Sequence, residues 1–164
     1  MKILITGGTL DKEYRQIDGK LVLTKTHVNE ILQTGKSTVQ AKLEIVMLKD
    51  SLFMDERDRQ TILNRCLESL EKQIIITHGT DTMAETAGLL GERIKDKTVV
   101  LVGAMIPYTF RGSDAVFNLG FAMAAVQTLP AGVYIAMNAR IFPWYDVRKN
   151  KSAETFEPAG QTGC

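Results

Sequence analysis

Hydrophobic residues in this 164-residue chain fall into short β-branched runs, separated by longer segments in which apolar positions recur every three or four residues. The first pattern favours strands, and the second favours helices with one apolar face. Strands are expected at 2–6, 43–48, 74–77, 98–102 and 133–137. All but the second are nearly continuous apolar runs, which are typical of strands buried on both faces of a parallel sheet.

Helices are expected between these strands, at 26–35, about 55–72, about 82–94 and about 113–127. Residues 115–126 are apolar nearly all round, which indicates either a helix buried in the core or a subunit interface. Three aromatic residues are expected at an interface or at the rim of a pocket, namely Phe110, Phe142 and Trp144.

The alternation of strands and helices predicts a three-layer α/β domain with a mainly parallel sheet flanked by helices. We expect one domain over residues 1–160 and a disordered tail over residues 161–164. The mostly polar segment 11–25 is expected to form a long loop or a hairpin that acts as a mobile lid.

Composition and charge narrow the class of function. Hydrophobic residues make up 45% of the chain and charged residues 24%, as in a globular protein. The net charge of +1 and the lack of a basic stripe argue against a nucleic-acid or membrane-surface partner. No apolar run is long enough to span a bilayer and no signal peptide is recognisable, so we expect a cytoplasmic protein. The chain has two histidines and two cysteines and no Cys/His cluster, which argues against a metal site and against a disulfide framework.

Two predicted strand ends carry polar residues suited to chemistry. Thr6-Gly7-Gly8-Thr9 follows the first strand, and His78-Gly79-Thr80-Asp81 follows the third. Ligands of open parallel sheets bind at the carboxyl ends of strands, where glycines allow a sharp turn and a hydroxyl can project into a crevice. Taken singly, each loop is also typical of an ordinary turn without a function. Taken singly, His78 is typical of a hydrogen-bonded structural histidine. The first loop also lacks the features of a phosphate-binding or dinucleotide-binding loop, so no cofactor is expected.

Taken together, the two loops resemble the signature motifs of the bacterial L-asparaginase/glutaminase family, and the resemblance extends from Lys2 to about Pro158. It implies hydrolysis of the side-chain amide of L-asparagine to L-aspartate and ammonia, through an acyl-threonine intermediate and without a cofactor or metal. Further matches occur in the expected order, at Tyr14, Lys49-Asp50-Ser51, Val102-Gly103-Ala104-Met105, Ser113-Asp114-Ala115, Phe117-Asn118-Leu119 and Asp146-Val147-Arg148-Lys149.

The resemblance implies a catalytic role for five residues. Thr9 would attack the amide carbon, and Tyr14 would help to move the proton of its hydroxyl. Thr80 and Lys149 would complete the proton relay, which requires burial or a nearby charge to lower the pKa of a lysine. Asp81 completes this set and would also bind the substrate's ammonium.

Substrate binding is expected to require groups for one ammonium, one α-carboxylate and one amide. By the same resemblance, Ser51 and backbone N–H groups would hold the carboxylate, and the Thr80 N–H or a water would hold the oxyanion. The expected substrate-binding set is Gly8, Asp50, Ser51, Gly79, Thr80 and Asp81.

Better-known family members carry a second, smaller C-terminal domain, and this chain ends where that domain would begin. In those enzymes the domain of a neighbouring subunit completes the pocket around the ammonium, so we expect a homo-oligomer, dimer or tetramer. Without that contribution, loss of one charged hydrogen bond would weaken binding by about 1.5–3 kcal/mol. Three alternatives stay open: action on glutamine or another small amide, a non-catalytic sensor of asparagine or aspartate, and a subunit completed by a separate partner chain.

Overall fold

The computed structural model describes residues 1–160, and the expected tail at 161–164 lies outside the described residues. The helices are α1 (Val28–Thr34), α2 (Glu56–Glu68), α3 (Met83–Arg93) and α4 (Ala115–Thr128). The strands are β1 (Lys2–Ile5), β2 (Lys12–Arg15), β3 (Lys20–Leu23), β4 (Lys42–Ile45), β5 (Gln73–Thr77), β6 (Thr98–Val102), β7 (Gly132–Met137), β8 (Arg140–Pro143), β9 (Arg148–Asn150) and β10 (Thr155–Glu157).

A six-stranded sheet in the order β4-β1-β5-β6-β7-β8 forms the centre of the molecule. Neighbouring strands are parallel except for the antiparallel pair β7–β8. The inner strands β1, β5 and β6 are buried on both faces, since apolar side chains from helices cover each side. The predicted α/β class with a mainly parallel sheet and flanking helices is therefore confirmed.

Helices α1 and α4 pack against each other, and α2 packs against α3. The directions of the crossover connections show that one of them has an unusual hand. The connection β1–α1–β4 moves one way along the sheet and β6–α4–β7 moves the other way, although α1 and α4 share a face. Two parallel crossovers on one face that move in opposite directions have opposite hands. The connection through α4 is therefore left-handed, because the other crossovers follow the usual right-handed rule.

The four predicted helices are present, with small differences at their ends. Asp55 caps α2 in a reciprocal capping box with Asp58, as its acidic first turn indicates. The helix ends at Glu68 rather than near 72, where Ser69 adopts an extended backbone, and the ammonium of Lys97 binds the carbonyl oxygens of Cys66 and Leu67 at 2.7 and 3.0 Å. These hydrogen bonds satisfy carbonyls at the end of the helix.

Strand β8 and the hairpin β9–β10 are not among the strands expected from the sequence. Strand β8 is a short edge strand, and Phe142 at its centre is 2% exposed in the core. The expectation that Phe142 lies at an interface or a pocket rim is therefore wrong. The polar segment 11–25 does form a hairpin, in which β2 pairs with β3. Within residues 1–160, no helix is long and apolar enough to cross a membrane.

His78 joins the end of β5 to α3. Its ring is completely buried, with Nδ1 donating to the carbonyl oxygen of Gly79 at 2.7 Å and Nε2 accepting from the Thr86 hydroxyl at 2.9 Å. Burial lowers the pKa of His78 to about 4, so the ring is neutral at pH 7. The neutral ring, with both nitrogens hydrogen-bonded, fixes the position of the loop that follows β5.

Substitution of two glycines in α3 is expected to have opposite effects on stability. A Cβ at Gly91 would lie 2.2 Å from the indole of Trp144, whereas a Cβ at Gly88 would meet nothing within 4 Å. Gly91→Ala should lower the free energy of unfolding by about 1–3 kcal/mol through overpacking. Gly88→Ala should raise it by up to about 1 kcal/mol, because alanine favours the helix. Urea unfolding measures both, and equal stabilisation by the two substitutions would contradict the packing of Trp144.

The buried His78 is expected to make stability depend on pH. Its pKa is about 4 in the folded chain and 6.5 in an unfolded one, so the unfolded chain binds more protons between these values. The resulting stabilisation is complete above pH 6.5 and is lost as the pH falls to 4, a change of roughly 3 kcal/mol. Urea unfolding between pH 7 and pH 4 measures it.

The matched variant is His78→Asn, which should lose this dependence. Burial raises the pKa of Asp11, which acts in the opposite direction because its contribution is lost as the pH rises through the folded pKa. The difference between wild type and variant therefore isolates the histidine. An identical pH dependence in both proteins would show that His78 is not a buried neutral group.

Candidate active site

The loops that follow β1 and β5 touch through their backbones. A Cβ on Gly8 would lie 2.4 Å from the backbone nitrogen of Gly79, and the φ of Gly8 is 88°. A Cβ on Gly79 would in turn lie 2.4 Å from Ser51 Oγ. Any side chain at position 8 would force the loops apart and also strain the backbone. Glycine at these positions therefore allows Thr9 and Thr80 to face one cavity.

This cavity has a volume of about 240 Å³ and lies at the carboxyl end of the parallel strands. Thr9, at the start of a 3-10 turn, lines it together with Thr80, Asp81 and Met105. Lys149 enters from β9 and completes the same wall. The structure thus brings together four of the five residues expected to be catalytic: Thr9, Thr80, Asp81 and Lys149.

Lys149 is the centre of the polar contacts in this cavity. Its Nζ donates to Thr80 Oγ1 at 2.7 Å and to Asp81 Oδ1 at 2.8 Å. The side chain of Lys149 is 15% exposed and that of Asp81 is 31% exposed, so water screens this ion pair only in part. Because the Thr80 oxygen accepts a hydrogen bond from Lys149, its own proton can point to another acceptor. The backbone N–H of Thr80 donates to no acceptor among residues 1–160.

Met105 lies on the long connection between β6 and α4, which is fixed by side chains of the next helix. The Asp114 carboxylate accepts hydrogen bonds from the backbone N–H groups of Met105 and Ile106, each at 3.0 Å. Asn118 donates to the carbonyl oxygen of Gly103 at 3.1 Å and to Asp114 at 2.8 Å. The matched motifs at 113–115 and 117–119 therefore position the wall of the cavity.

Asp50 and Ser51 lie beneath the two loops and do not line the cavity. Asp50 accepts from Lys12 Nζ at 2.6 Å and from the Leu52 N–H at 3.0 Å. Burial acts to raise the pKa of Asp50, but these hydrogen bonds and the charges of Lys12 and Lys149 outweigh it and lower the pKa. Ser51 Oγ is buried against Gly79 and has no hydrogen-bond partner among residues 1–160.

Tyr14 is the expected catalytic residue that the structure does not place at the cavity. It lies on β2, is 55% exposed, and its hydroxyl points towards Gly19 at the turn of the β2–β3 hairpin. The base of this hairpin is attached to the body of the protein, since Thr109 Oγ1 donates to the Lys12 carbonyl oxygen at 3.3 Å. A role for Tyr14 therefore requires the outer part of the hairpin to move over the cavity.

Lys151 and Glu154 also line the cavity and were not expected as site residues. They lie on the turn between β9 and β10, directly after Lys149. The sequence signal was a pair of opposite charges three residues apart next to a matched motif, which alone is typical of any solvated hairpin. Among residues 1–160, no group of three or more His, Cys, Asp or Glu side chains is arranged to hold a metal ion.

Comparison with known proteins gives relatives that are similar in sequence and solved structures that are similar in fold. L-asparaginase 2 of Escherichia coli is 34% identical over 164 residues, covering 93% of this chain and 47% of the relative. The glutaminase-asparaginase of Acinetobacter glutaminasificans is 32% identical, with 88% of this chain and 44% of the relative covered. The solved thermostable L-asparaginase from Thermococcus kodakarensis superposes with a TM-score of 0.82 at 31% identity, covering 98% of this chain and 52% of that one.

The chain spans about half the length of these relatives. The model of the family described as "Asparaginase, N-terminal" matches residues 1–161. On the match over nearly the whole sequence and the agreement of the fold, this chain belongs to the asparaginase family, in the part that corresponds to the N-terminal domain.

Proposed function

We propose that this chain hydrolyses the side-chain amide of L-asparagine to L-aspartate and ammonia. The observation that carries the proposal is the single cavity shared by Thr9, Thr80, Asp81 and Lys149, in which Lys149 is hydrogen-bonded to both of its neighbours from the β5 loop. The names of the relatives, L-asparaginase and glutaminase-asparaginase, support the same reaction class. No cofactor or metal has a role in this proposal.

In the proposed mechanism Thr9 Oγ1 attacks the amide carbon and forms an acyl-threonine ester. The hydroxyl proton leaves towards the relay of Thr80 and Lys149, and the departing amide nitrogen is protonated and released as ammonia. Water then attacks the ester and frees aspartate. Two observations support Thr9 as the nucleophile. It lies at the start of the 3-10 turn in the wall of the cavity, and its side chain has no hydrogen-bond partner within residues 1–160.

Lys149 donates to Thr80 and pairs with Asp81, so a substrate ammonium near Asp81 would compete with Lys149 for that carboxylate. The Thr80 N–H, free of acceptors within residues 1–160, is suited to stabilise the developing oxyanion.

Substrate binding in the proposal uses the groups beneath the cavity as well as its wall. Ser51 is buried beneath the loops, so its unpartnered hydroxyl would donate to the α-carboxylate only after the loop at Gly79 shifts. Gly8 and Gly79 let the substrate approach the backbone. Asp50 would act through the charge it presents to Lys149. Tyr14 would reach the proton of Thr9 when the β2–β3 hairpin closes, as the expected lid.

Glutamine is the second candidate substrate, because one of the relatives is named a glutaminase-asparaginase. One additional methylene changes the preference by only about 1–3 kcal/mol, so both amides are to be tested. We also propose a dimer or tetramer, for which the exposed Phe117 on α4 offers an apolar contact. Light scattering on the same preparation measures the number of subunits.

Removal of the proposed nucleophile should abolish turnover. Thr9→Ala should lower kcat for ammonia release from asparagine by roughly 10⁴- to 10⁶-fold, the range seen when a nucleophile or its base is removed from a covalent hydrolase. Thr9→Ser keeps a hydroxyl and should retain part of the activity. Hydroxylamine should trap the acyl group as aspartyl hydroxamate in wild type and not in Thr9→Ala.

Equal ammonia release by wild type and Thr9→Ala would contradict the nucleophile. Binding of aspartate without any ammonia release by wild type would instead favour a sensor. If activity appears only after a second chain is added, the chain is a subunit that needs a partner.

Removal of the lysine should affect kcat more than the fold. Lys149→Met deletes the hydrogen bond to Thr80 and the ion pair with Asp81, so kcat should fall by at least about 100-fold. The matched control is Lys42→Met, because the Lys42 side chain lies exposed at the start of β4 and pairs only with Glu71 within residues 1–160. A kcat for Lys149→Met within twofold of this control would exclude Lys149 from the relay.

A further inference from the structure

We propose that Glu154 binds the α-ammonium of the substrate, so that the β9–β10 hairpin of this chain supplies an acidic group to the pocket. The inference rests on the proposed function and extends it to a residue outside the matched motifs. The ligand is a small amino-acid amide with an ammonium and a carboxylate on one carbon.

Asp81 alone is poorly suited to hold this ammonium. One of its oxygens is 2.8 Å from the ammonium of Lys149, so its charge is already balanced. A second cation at Asp81 meets the repulsion of Lys149 in a cavity that water screens only in part. Another carboxylate in the wall would relieve this conflict.

Glu154 is the other carboxylate in the wall of the cavity. Its side chain makes no hydrogen bond or ion pair with any residue of the described part of the chain. The neighbouring acid Glu157, by contrast, is bound by Arg148 at 2.7 Å and by Asn150 at 3.0 Å. The Glu154 carboxylate is therefore free to accept hydrogen bonds from a ligand in the cavity that Thr9 also lines.

Lys151 supplies the complementary charge. It lines the same cavity and has no carboxylate partner within residues 1–160. The turn therefore presents one unpaired cation and one unpaired anion three residues apart, next to the proposed nucleophile. This pairing fits a zwitterionic amino acid better than a neutral amide or a simple cation.

The backbone at Glu154 agrees with a role beyond folding. Its φ is 52°, a region that favours glycine and asparagine over glutamate. The turn before it is fixed by the Asn150 side chain, which accepts from the Ser152 hydroxyl at 2.8 Å and the Ala153 N–H at 3.1 Å. Glutamate therefore occupies a backbone region that it adopts less readily than glycine does.

The test compares two substrates that differ only in the ammonium. Succinamic acid is asparagine without its amino group. With the full chain, Glu154→Gln should raise KM for asparagine about tenfold, as expected for loss of one charged hydrogen bond, and should leave KM for succinamic acid unchanged. Glu92→Gln, which removes a charge from the exposed side of α3, should leave both values unchanged.

Glu154→Gly separates binding from folding. It removes the carboxylate and at the same time relieves the positive φ, so it should raise KM for asparagine as Glu154→Gln does while the unfolding midpoint stays the same or rises. An unchanged KM for asparagine in both variants would overturn the inference. An equal rise of KM for asparagine and succinamic acid would overturn it too.

Failure of the proposed function gives a different result. Calorimetry with L-aspartate and with succinate reports binding even where turnover is absent. If wild type binds aspartate without releasing ammonia, the hydrolase proposal fails, and Glu154→Gln should still weaken aspartate about tenfold relative to succinate. If wild type neither hydrolyses asparagine nor binds aspartate, both proposals are overturned.

Discussion

The contact between the backbones of Gly8 and Gly79 is the constraint on which the candidate site depends. A single Cβ at either position would occupy space that holds the other loop or Ser51. Without this contact the loops after β1 and β5 would separate, and Thr9 and Thr80 would no longer share a cavity. Parallel strands alone place loops at one edge of a sheet. The glycines determine how closely those loops approach.

A second constraint is the balance of charge around Lys149. The lysine binds Thr80 and Asp81, while Asp50 beneath it keeps a lowered pKa partly because of the charge of Lys149. The two carboxylates thus lie within reach of the charge of one lysine. A ligand that adds charge to the cavity would alter the interactions of all three groups.

The sequence predicted the inner part of the fold more completely than its periphery. Continuous apolar runs identify β5, β6 and β7, because burial on both faces leaves a strong pattern. Strand β8 and the β9–β10 hairpin lack such a pattern, since they are short and lie at an edge or at the surface. The structure of β8 and of the β9–β10 hairpin depends instead on tertiary contacts, such as the burial of Phe142 in the core.

The same difference applies to the site. The placement of Thr9 and Thr80 at one cavity could be predicted because their loops carry glycine motifs, and that of Lys149 because it belongs to a matched segment. Glu154 and Lys151 could not, since a charged hairpin turn is common and only the folded chain shows which cavity it faces. Conversely, the motif that includes Tyr14 gave no information about the position of the hairpin that carries it.

The left-handed connection from β6 to β7 has a consequence for how the site is lost. To reach the face of α1, residues 103–114 cross the carboxyl edge of the sheet, and the Tyr108 N–H donates to the Leu10 carbonyl oxygen at 3.2 Å. The turn that begins at Thr9 is thus held by residues 103–114, and three hydrogen bonds of this segment, those of Ile106, Thr109 and Ser113, are exposed to solvent. Such segments open at a lower free energy than the core. Detachment of residues 103–114 would disorganise the turn at Thr9 while the sheet remained folded, so partial opening would remove the candidate site before global unfolding.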